Sequence, residues 1–423
     1  MRYAMNNLLI EKLTPGGQGI GTLPDGKKIF LWNALPNEEI TEFEILKNKK
    51  SYAIGVASKI AKKSPHRIEP KDPCYLSTSP WQVMDYDYEL EQKLVLLQEQ
   101  FRQAQIDSGD EQNPVVTDNH DFYYRNKMEY SLYWDHASES IKLAFHQRGS
   151  HRKIPITKSS LERPEIFTKA QQIVDNLNAR HEEARKYQSL LLRCDQQGNV
   201  HGGLYENHQP HPQFAPLTDT ILSHQYSYSP NGFFQINLPV YEMALTEIKK
   251  HITTNKVLDL YSGVGTIGLS VARDRELKLV ECDKAAYAEL EKNVEMLMGQ
   301  GFAARDDGRN EDRLSLCDDR ETAVCPCHSN ISTFLSKSED ALNHIAPDQT
   351  VIVDPPRAGC HVKLLERLLD QKPPTIIYLS CNPATQARDL KILEKFYQIQ
   401  QITPFNFFPR TPHLENLAIL QLR

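Results

Sequence analysis

The chain of 423 residues is long enough for two or three domains that each bury a core. Its composition, 40% hydrophobic and 25% charged, is that of an ordinary globular protein, and because no apolar run approaches the roughly 18 residues of a membrane span, we expect no membrane partner. A net charge of −6 excludes binding of nucleic acid through overall charge alone, and eight scattered cysteines favour a reducing cytoplasm over a disulfide scaffold.

Residues 1–60 alternate short strand-like runs with glycine-rich turns. Runs such as NLLIEKL, KKIFLW and YAIGVASKI are separated by turns such as TPGGQGIGTL. Short strands at this close spacing predict a small β-barrel. From Lys47 to Lys71 the sequence has eight Lys or Arg and one acid, a local charge of +7. This strip is either a solvated loop or a surface that contacts phosphates.

Residues 61–225 have mixed character and predict a central α+β domain. They begin with a proline-rich linker, SPHRIEPKDP. YELEQKLVLLQEQFRQAQ then predicts a helix over residues 88–105 with Leu90, Leu94 and Leu97 on one apolar stripe, and MEYSLYW and SIKLAFHQR predict strands.

Residues 226–423 alternate strands and helices as in a Rossmann-like, doubly wound α/β sheet. KVLDLYSGVGTIGLSVAR reads as a strand, a glycine turn and a helix, in which Gly263, Gly265 and Gly268 form G-x-G-x-x-G. Glu281 follows Gly263 by 18 residues, at the end of the next strand. This order indicates a nucleoside-containing ligand whose ribose Glu281 would bind, and both NAD and S-adenosylmethionine enzymes use it. A polar stretch from about 299 to 329 predicts an inserted loop.

Three further polar residues stand at strand ends in this region. Asp354 follows the strand TVIV, Cys381 follows TIIYLS, and Glu415 precedes NLAILQL. Ligands of open α/β sheets bind at the carboxyl edge of the strands, which favours a functional role. Each residue also has a simpler interpretation: Asp354 as a helix cap, Cys381 as a small buried hydrophobe, and Glu415 as a surface carboxylate.

Five stretches in order resemble the RNA uracil-5-methyltransferase family, which makes 5-methyluridine with S-adenosylmethionine: FFQIN, DLYSGVGTIGL, VDPPRAG, LSCNPATQARDL and TPHLENLAIL. YYRNKMEYSL resembles the central-domain motif of that family, and the N-terminal region resembles a TRAM domain, an OB-like barrel. The resemblance implies three domains: a barrel over 1–60 and a central domain over 61–225 that bind RNA, and a catalytic domain over 226–423.

The resemblance also implies the roles of individual residues. Cys381 would be the nucleophile and Glu415 the proton acceptor. Four positions match the family's cofactor-binding residues: Gln235, Tyr261, Glu281 and Asp354. The partner would be RNA, and the TRAM-like region favours rRNA over tRNA. We expect a monomer.

The sequence departs from the pattern of relatives that carry an iron–sulfur cluster. Cys74 stands at the first ligand position, but Pro80 and Val83 occupy the second and third. Because a cluster needs four ligands, we predict none and no metal site. Cys317, Cys325, Cys327 and His328 lack a standard zinc spacing. Two other classes stay open: an RNA-binding protein without catalysis, and a NAD-dependent oxidoreductase.

Overall fold

The computed structural model describes residues 2–106, 113–150, 152–302 and 330–423. Contacts divide the chain into two compact units. The first unit comprises Met1–Gln103, Pro114–Ala215 and Pro404–Leu414, and the second comprises Ala104–Asn113, Pro216–Thr403 and Glu415–Arg423.

The first unit begins with a closed five-stranded barrel. Its strands are β1 (Arg2–Leu13), β2 (Gly19–Thr22), β3 (Lys28–Trp32), β4 (Glu39–Asn48) and β5 (Tyr52–Lys62), in the order β1-β2-β3-β5-β4. Alternate residues such as Leu8, Ile10, Ile29 and Leu31 fill the interior, as the period of a strand requires. The predicted small β-barrel is confirmed.

The rest of the first unit is α+β. It contains α1 (Tyr75–Thr78), α2 (Tyr86–Gln103), β6 (Lys127–Asp135), β7 (Ser140–His146), β8 (Lys153–Pro155), α3 (Pro164–Ala179), β9 (Tyr187–Cys194) and β10 (Val200–Glu206). The strands form an antiparallel sheet in the order β10-β9-β6-β7-β8. The strands predicted from MEYSLYW and SIKLAFHQR correspond to β6 and β7.

Helix α2 differs from its prediction in its bounds and in its buried face. It begins at Tyr86 because Asp85 caps it, accepting a hydrogen bond from the N–H of Tyr88 at 2.8 Å. Glu89 and Lys93 are buried on this helix, whereas Leu90 and Leu94 are half-buried. The reason is an ion network: Glu89 pairs with Lys93 at 2.9 Å and accepts two hydrogen bonds from the N–H of Arg410, at 2.9 and 3.0 Å.

The second unit opens with the hairpin β11 (Leu217–Ile221) and β12 (His224–Tyr228), followed by α4 (Leu238–Lys250). Next come β13 (Lys256–Leu260), α5 (Thr266–Ala272), β14 (Glu276–Glu281), α6 (Lys284–Phe302), β15 (Ile331–Leu335) and β16 (Gln349–Val353). The unit ends with α7 (Val362–Gln371), β17 (Thr375–Ser380), α8 (Pro383–Leu393), β18 (Tyr397–Phe405) and β19 (Glu415–Leu422).

These strands form one sheet in the order β15-β14-β13-β16-β17-β19-β18. Strands β13 to β17 are parallel, whereas β19 runs antiparallel to β17. The strands β16 and β17 are buried along their whole length, as in sheets covered by helices on both faces. The doubly wound fold predicted for this region is confirmed.

The predicted insertion and the expected absence of a membrane span are compared here with the residues that the structure describes. Helix α6 continues to Phe302, so the insertion predicted from about 299 begins inside a helix. Residues 303–329, with the cysteines and histidine of that stretch, lie outside the described residues. Within the described ranges, no helix has the length and apolar character needed to cross a membrane.

Candidate active site

The carboxyl edge of the parallel sheet gathers the site residues predicted at strand ends. Strand β14 ends at Glu281, and β13 and β16 end one residue before Tyr261 and Asp354. The register pairs Leu260 with Val280 on one side and with Val353 on the other, so Tyr261 comes between Glu281 and Asp354. Tyr261 has a φ of +64°, a strained value of the kind that clusters at ligand sites.

Cys381 and Glu415 come together across the antiparallel pair β17 and β19. Ser380 lies opposite Asn416, and continuing this register by one residue sets Cys381 opposite Glu415. Such cross-strand positions have Cα atoms roughly 4.5–5.5 Å apart. Glu415 is only 4% exposed, so the interpretation as a surface carboxylate is wrong. Cys381 is half-buried at the turn between β17 and α8.

Burial raises the pKa values of both members of this pair. Burial raises the pKa of the Cys381 thiol to about 11, and the nearby carboxyl groups of Glu415 and Asp354 add to the rise. Burial also raises the pKa of Glu415 well above its ordinary value, with a further contribution from Asp354. For Asp354 itself, burial raises the pKa to about 7.

Asp354 does not cap the helix that follows it. Helix α7 begins at Val362, and its N-terminal cap is His361, whose side chain accepts a hydrogen bond from the N–H of Lys363 at 3.2 Å. The helix-cap interpretation of Asp354 is therefore wrong. Asp354 is left as a half-buried carboxyl group beside the Cys381–Glu415 pair.

Arg357 is a residue of this edge to which the sequence analysis gave no role. Its guanidinium hydrogen-bonds the Cys381 thiol and lowers the pKa of that thiol, opposing the effect of burial. Its backbone carbonyl accepts hydrogen bonds from Asn382 Nδ2 at 2.8 Å and Thr385 Oγ1 at 3.2 Å, which fixes the loop to the start of α8. The sequence offered one sign of this role, because Arg357 is the arginine of VDPPRAG and lies on the loop after β16.

The three glycines of the loop after β13 have different physical tasks. A Cβ on Gly263, whose φ is +56°, would meet no atom within 4 Å, so this position borders open space. At Gly265 a Cβ would lie 2.4 Å from Leu290 Cδ1, and at Gly268 it would lie 2.6 Å from Leu279 Cδ2. The last two glycines therefore permit close packing, and the first leaves room for a ligand.

Glu281 closes this loop from the neighbouring strand. Its Oε2 accepts a hydrogen bond from the N–H of Gly263 at 2.8 Å, and its Oε1 accepts from the N–H groups of Cys282 and Asp283 at 2.7 and 2.6 Å. These bonds fix the carboxylate at the strand end. Because a carboxylate oxygen can accept two hydrogen bonds, Oε2 retains capacity for a ligand hydroxyl.

Asp259, in the strand β13, and Asn237, at the start of α4, have buried polar atoms without partners among the described residues. Asp259, whose pKa burial raises to about 8, accepts from the N–H of Gly268 through Oδ2 at 2.9 Å. Among the residues that the structure describes, none hydrogen-bonds Asp259 Oδ1 or the side-chain amide of Asn237. Buried polar atoms of this kind are usually satisfied by water or by a ligand.

Gln235 lies buried in the segment that leads into α4, two residues before Asn237. In the same segment Phe234 stacks on Tyr228 with ring centroids 3.9 Å apart, whereas Phe233 is 75% exposed. Phe234 therefore has a packing role. The assignment of Gln235 to a cofactor site stays a prediction, as do the catalytic roles of Cys381 and Glu415.

The cysteine at the position of an iron–sulfur ligand is a core residue. Cys74 is buried beside Met128 and Tyr130, and burial raises the pKa of its thiol to about 12. Across the described ranges, no three His, Cys, Asp or Glu side chains are grouped so as to hold a metal ion. The prediction that the chain carries no cluster is not tested by this observation.

The basic strip of the barrel is partly neutralised by acids. The side chain of Arg67 is 7% exposed and donates to both oxygens of Glu38, at 2.5 and 2.8 Å, so it has a structural role. Three of the lysines pair with acids at 3.2 to 3.9 Å: Lys59 with Glu42, Lys62 with Glu39, and Lys63 with Glu69. These three pairs are exposed and therefore weak.

Lys71, the last lysine of the strip, packs against two aromatic rings. The ammonium group of Lys71 lies 4.5 Å from the ring centres of both Phe122 and Tyr123. Tyr123 is 42% exposed, and the charge of Lys158 lies near its hydroxyl group. Exposed aromatic rings interleaved with lysines are typical of surfaces that bind single-stranded nucleic acid.

The chain is similar in sequence to RNA methyltransferases. The sequence model of the tRNA (uracil-5-)-methyltransferase family matches residues 338–423, and that of a family described as conserved hypothetical protein 95 matches residues 240–325. Uncharacterized RNA methyltransferases from Bacillus anthracis and Staphylococcus aureus are 26% and 27% identical to the chain, with alignments that cover 98% of it and 96% and 97% of those proteins.

A solved structure extends the likeness to nearly the whole chain. The crystal structure of Pyrococcus abyssi tRNA (uracil-54, C5)-methyltransferase in complex with S-adenosyl-L-homocysteine matches with a TM-score of 0.72 and 24% identity. The match covers 98% of this chain and 99% of that chain. At this identity the likeness shows the fold, including the barrel and the doubly wound sheet.

Proposed function

We propose that this chain is a member of the RNA uracil-5-methyltransferase family and transfers a methyl group from S-adenosylmethionine to carbon 5 of a uridine in RNA. The observation that carries the proposal is the pairing of Cys381 with the buried Glu415, at the sheet edge that also holds the glycine loop. An RNA-binding protein without catalysis would not need this pair. We further propose that the chain acts as a monomer in the cytoplasm.

The loop after β13 fits S-adenosylmethionine. Gly263 borders open space, and Glu281 Oε2 retains capacity for a ribose hydroxyl. When bound, this cofactor supplies a methyl group carried by an electrophilic sulfonium. The residues that would hold it are Gln235, Tyr261, Glu281 and Asp354.

Cys381 makes carbon 5 reactive. Carbon 5 of uracil is a poor nucleophile, so a second group has to activate it. Attack of the Cys381 thiolate forms a bond from sulfur to carbon 6, and the electrons of the 5,6 double bond move onto carbon 5 and the 4-oxygen. Carbon 5 is then nucleophilic and accepts the methyl group.

Glu415 completes the reaction. Its carboxylate takes the proton of the methylated carbon 5, the 5,6 double bond re-forms, and the bond between sulfur and carbon 6 breaks to release the Cys381 thiolate. Burial suits this task, because a carboxylate with a raised pKa is a stronger base. Arg357 would stabilise the thiolate both before attack and after release.

The first unit would hold the RNA. The surface formed by Lys71, Phe122, Tyr123 and Lys158 offers stacking faces and cations, and the barrel adds the lysines of its strip. The target uridine has to leave its base stack to reach a half-buried thiol.

Two RNA classes are candidate substrates. The barrel resembling a TRAM domain favoured rRNA, but the Pyrococcus abyssi tRNA enzyme matches over 99% of its own length and so includes this region. The barrel therefore does not distinguish rRNA from tRNA as the substrate. Mapping 5-methyluridine in rRNA and tRNA from cells with and without the gene decides between the two, because the lost signal identifies the substrate.

Glu415→Gln tests the catalytic pair. The variant should form the bond from Cys381 to carbon 6 and transfer the methyl group, but it should not remove the proton of carbon 5. A covalent RNA–protein adduct that requires Cys381 should therefore accumulate on denaturing gels. Glu366→Gln, an exposed change on α7, is the control. Free turnover by Glu415→Gln without a trapped adduct would refute the role of Glu415.

A further inference from the structure

Gln386 joins three elements of the catalytic unit through one buried amide. It lies in α8, with no exposed surface. Its Nε2 donates to the carbonyl of Tyr378 in β17 at 2.9 Å and to the carbonyl of Asn416 in β19 at 3.0 Å. Its Oε1 accepts from Asn416 Nδ2 at 2.6 Å. Both N–H donors of the amide are therefore used, and they connect neighbouring strands.

One of these contacts is adjacent to Glu415, and the other, at Tyr378, lies three residues before Cys381. Asn416 directly follows Glu415, and its cross-strand partner Ser380 directly precedes Cys381. A slip of one residue between two strands turns every side chain of one strand to the opposite face of the sheet. The amide therefore fixes the register on which the placement of Glu415 depends.

The strand β19 needs such a connection at its start. Glu415 is its first residue, so on one side the chain leaves the sheet immediately. The next residue of the strand, Asn416, forms the hydrogen bonds to Gln386 of α8. Without these hydrogen bonds, the end of the β17–β19 ladder is free to fray at Glu415, the proposed base.

We propose that Gln386 is a positioning residue for the proposed reaction: it sets Glu415 against Cys381 and touches neither RNA nor cofactor. The inference rests on the proposed function. A glutamine with only a structural task would affect stability, because removing one partner of a buried hydrogen bond is destabilising. A positioning residue would in addition change how fast the covalent adduct is released.

Gln386→Met tests this role, since methionine fills a similar volume without the hydrogen bonds. Two rates are compared with wild type: trapping on RNA that contains 5-fluorouridine, and turnover on unmodified RNA. Fluorine cannot be removed as a proton, so trapping reports attack and methyl transfer without release. We expect trapping within about threefold of wild type and turnover lowered about 100-fold, the scale for a catalytic group displaced by about 1 Å.

Gln349→Met is the matched control. Gln349 is a buried glutamine of the same sheet, at the start of β16 and so at the opposite edge, where its Nε2 donates to the His344 carbonyl at 3.0 Å. It should lower stability and leave the ratio of trapping to turnover unchanged. The inference is overturned if Gln386→Met shows the same ratio as this control.

Asn416→Ala decides the matter if Gln386→Met does not fold. It removes the 2.6 Å bond and leaves the two bonds from Gln386 to carbonyl groups, so it should also lower turnover more than trapping. Equal effects on both rates would overturn the inference. A wild-type protein that neither traps on 5-fluorouridine RNA nor methylates RNA would instead refute the proposed function, and the inference with it.

Discussion

Replacing Arg357 by Gln should make the Cys381 thiol harder to ionise. Burial, Glu415 and Asp354 raise the pKa of this thiol, Arg357 lowers it, and the balance is about 11. At pH 8, three units lower, about one molecule in a thousand carries the thiolate. An adjacent opposite charge shifts a pKa by about 1–3 units, and the exposure of Arg357 argues for the lower end. The thiolate fraction should therefore fall about tenfold.

Alkylation by iodoacetamide measures this fraction, because the thiolate is the reacting form. The rate at the Cys381 peptide is followed by mass spectrometry between pH 8 and pH 10, with the exposed Cys282 as an internal reference. In wild type the rate should climb about tenfold per pH unit over this range, and Arg357→Gln should lower it about tenfold at each pH. Arg275→Gln, before β14 at the other edge of the sheet, should change nothing.

A plateau in the wild-type rate below pH 9 would mean that the thiol ionises more easily than its surroundings predict. An unchanged rate in Arg357→Gln would remove Arg357 from the site. Either result would refute the account of how Cys381 is activated.

Three further predictions concern the cofactor, the buried acid and the RNA surface. Glu281→Ala should weaken S-adenosylmethionine binding by about 1–3 kcal/mol in calorimetry, because it removes a charged hydrogen-bond acceptor. Asp259 has a pKa raised to about 8 and so keeps its proton in the folded protein, whereas the unfolded chain loses that proton above about pH 4. The free energy of unfolding therefore falls as the pH rises between these values. From pH 5.5 to 7.5, urea unfolding of wild type should show a loss of roughly 2–3 kcal/mol that is absent in Asp259→Asn. Tyr123→Ala should weaken RNA binding by about 1–3 kcal/mol with little change in salt dependence, whereas Lys71→Gln should lower the salt slope by about one.

The first two of these predictions have a control variant, and each of the three has an outcome that would contradict it. Glu276→Ala, at the other end of β14, should bind the cofactor normally, and equal affinities of Glu281→Ala and wild type would exclude Glu281 from the site. Asp274→Asn, an exposed change, should keep the wild-type pH slope; the same slope in Asp259→Asn would show that Asp259 is ionised in the fold. Equal RNA affinity of Tyr123→Ala and wild type would contradict a stacking surface there.

Local patterns predicted those parts of the fold that depend on neighbouring residues. Period-two runs and glycine turns indicated the barrel, and the alternation of strands with helices indicated the doubly wound sheet. The glycine spacing also placed the loop after β13.

Long-range pairing was not readable in this way. That Glu415 is buried opposite Cys381 depends on the antiparallel placement of β19 between β17 and β18, and residue spacing carries no signal for it. Glu89 and Lys93 are buried against expectation because their partners, Arg410 for Glu89 and Asn406 for Lys93, come from a segment more than 300 residues later. Such partners appear only once the chain is folded.

Methyl transfer to RNA tests the central claim most directly. Methyl-labelled S-adenosylmethionine is incubated with RNA from cells lacking the gene, and the digested nucleosides are separated. Wild type should place the label in 5-methyluridine, and Cys381→Ala should retain cofactor binding but transfer less than about a thousandth as fast, the scale for loss of a nucleophile. Label in any other nucleoside, or transfer by Cys381→Ala above that level, would contradict the account.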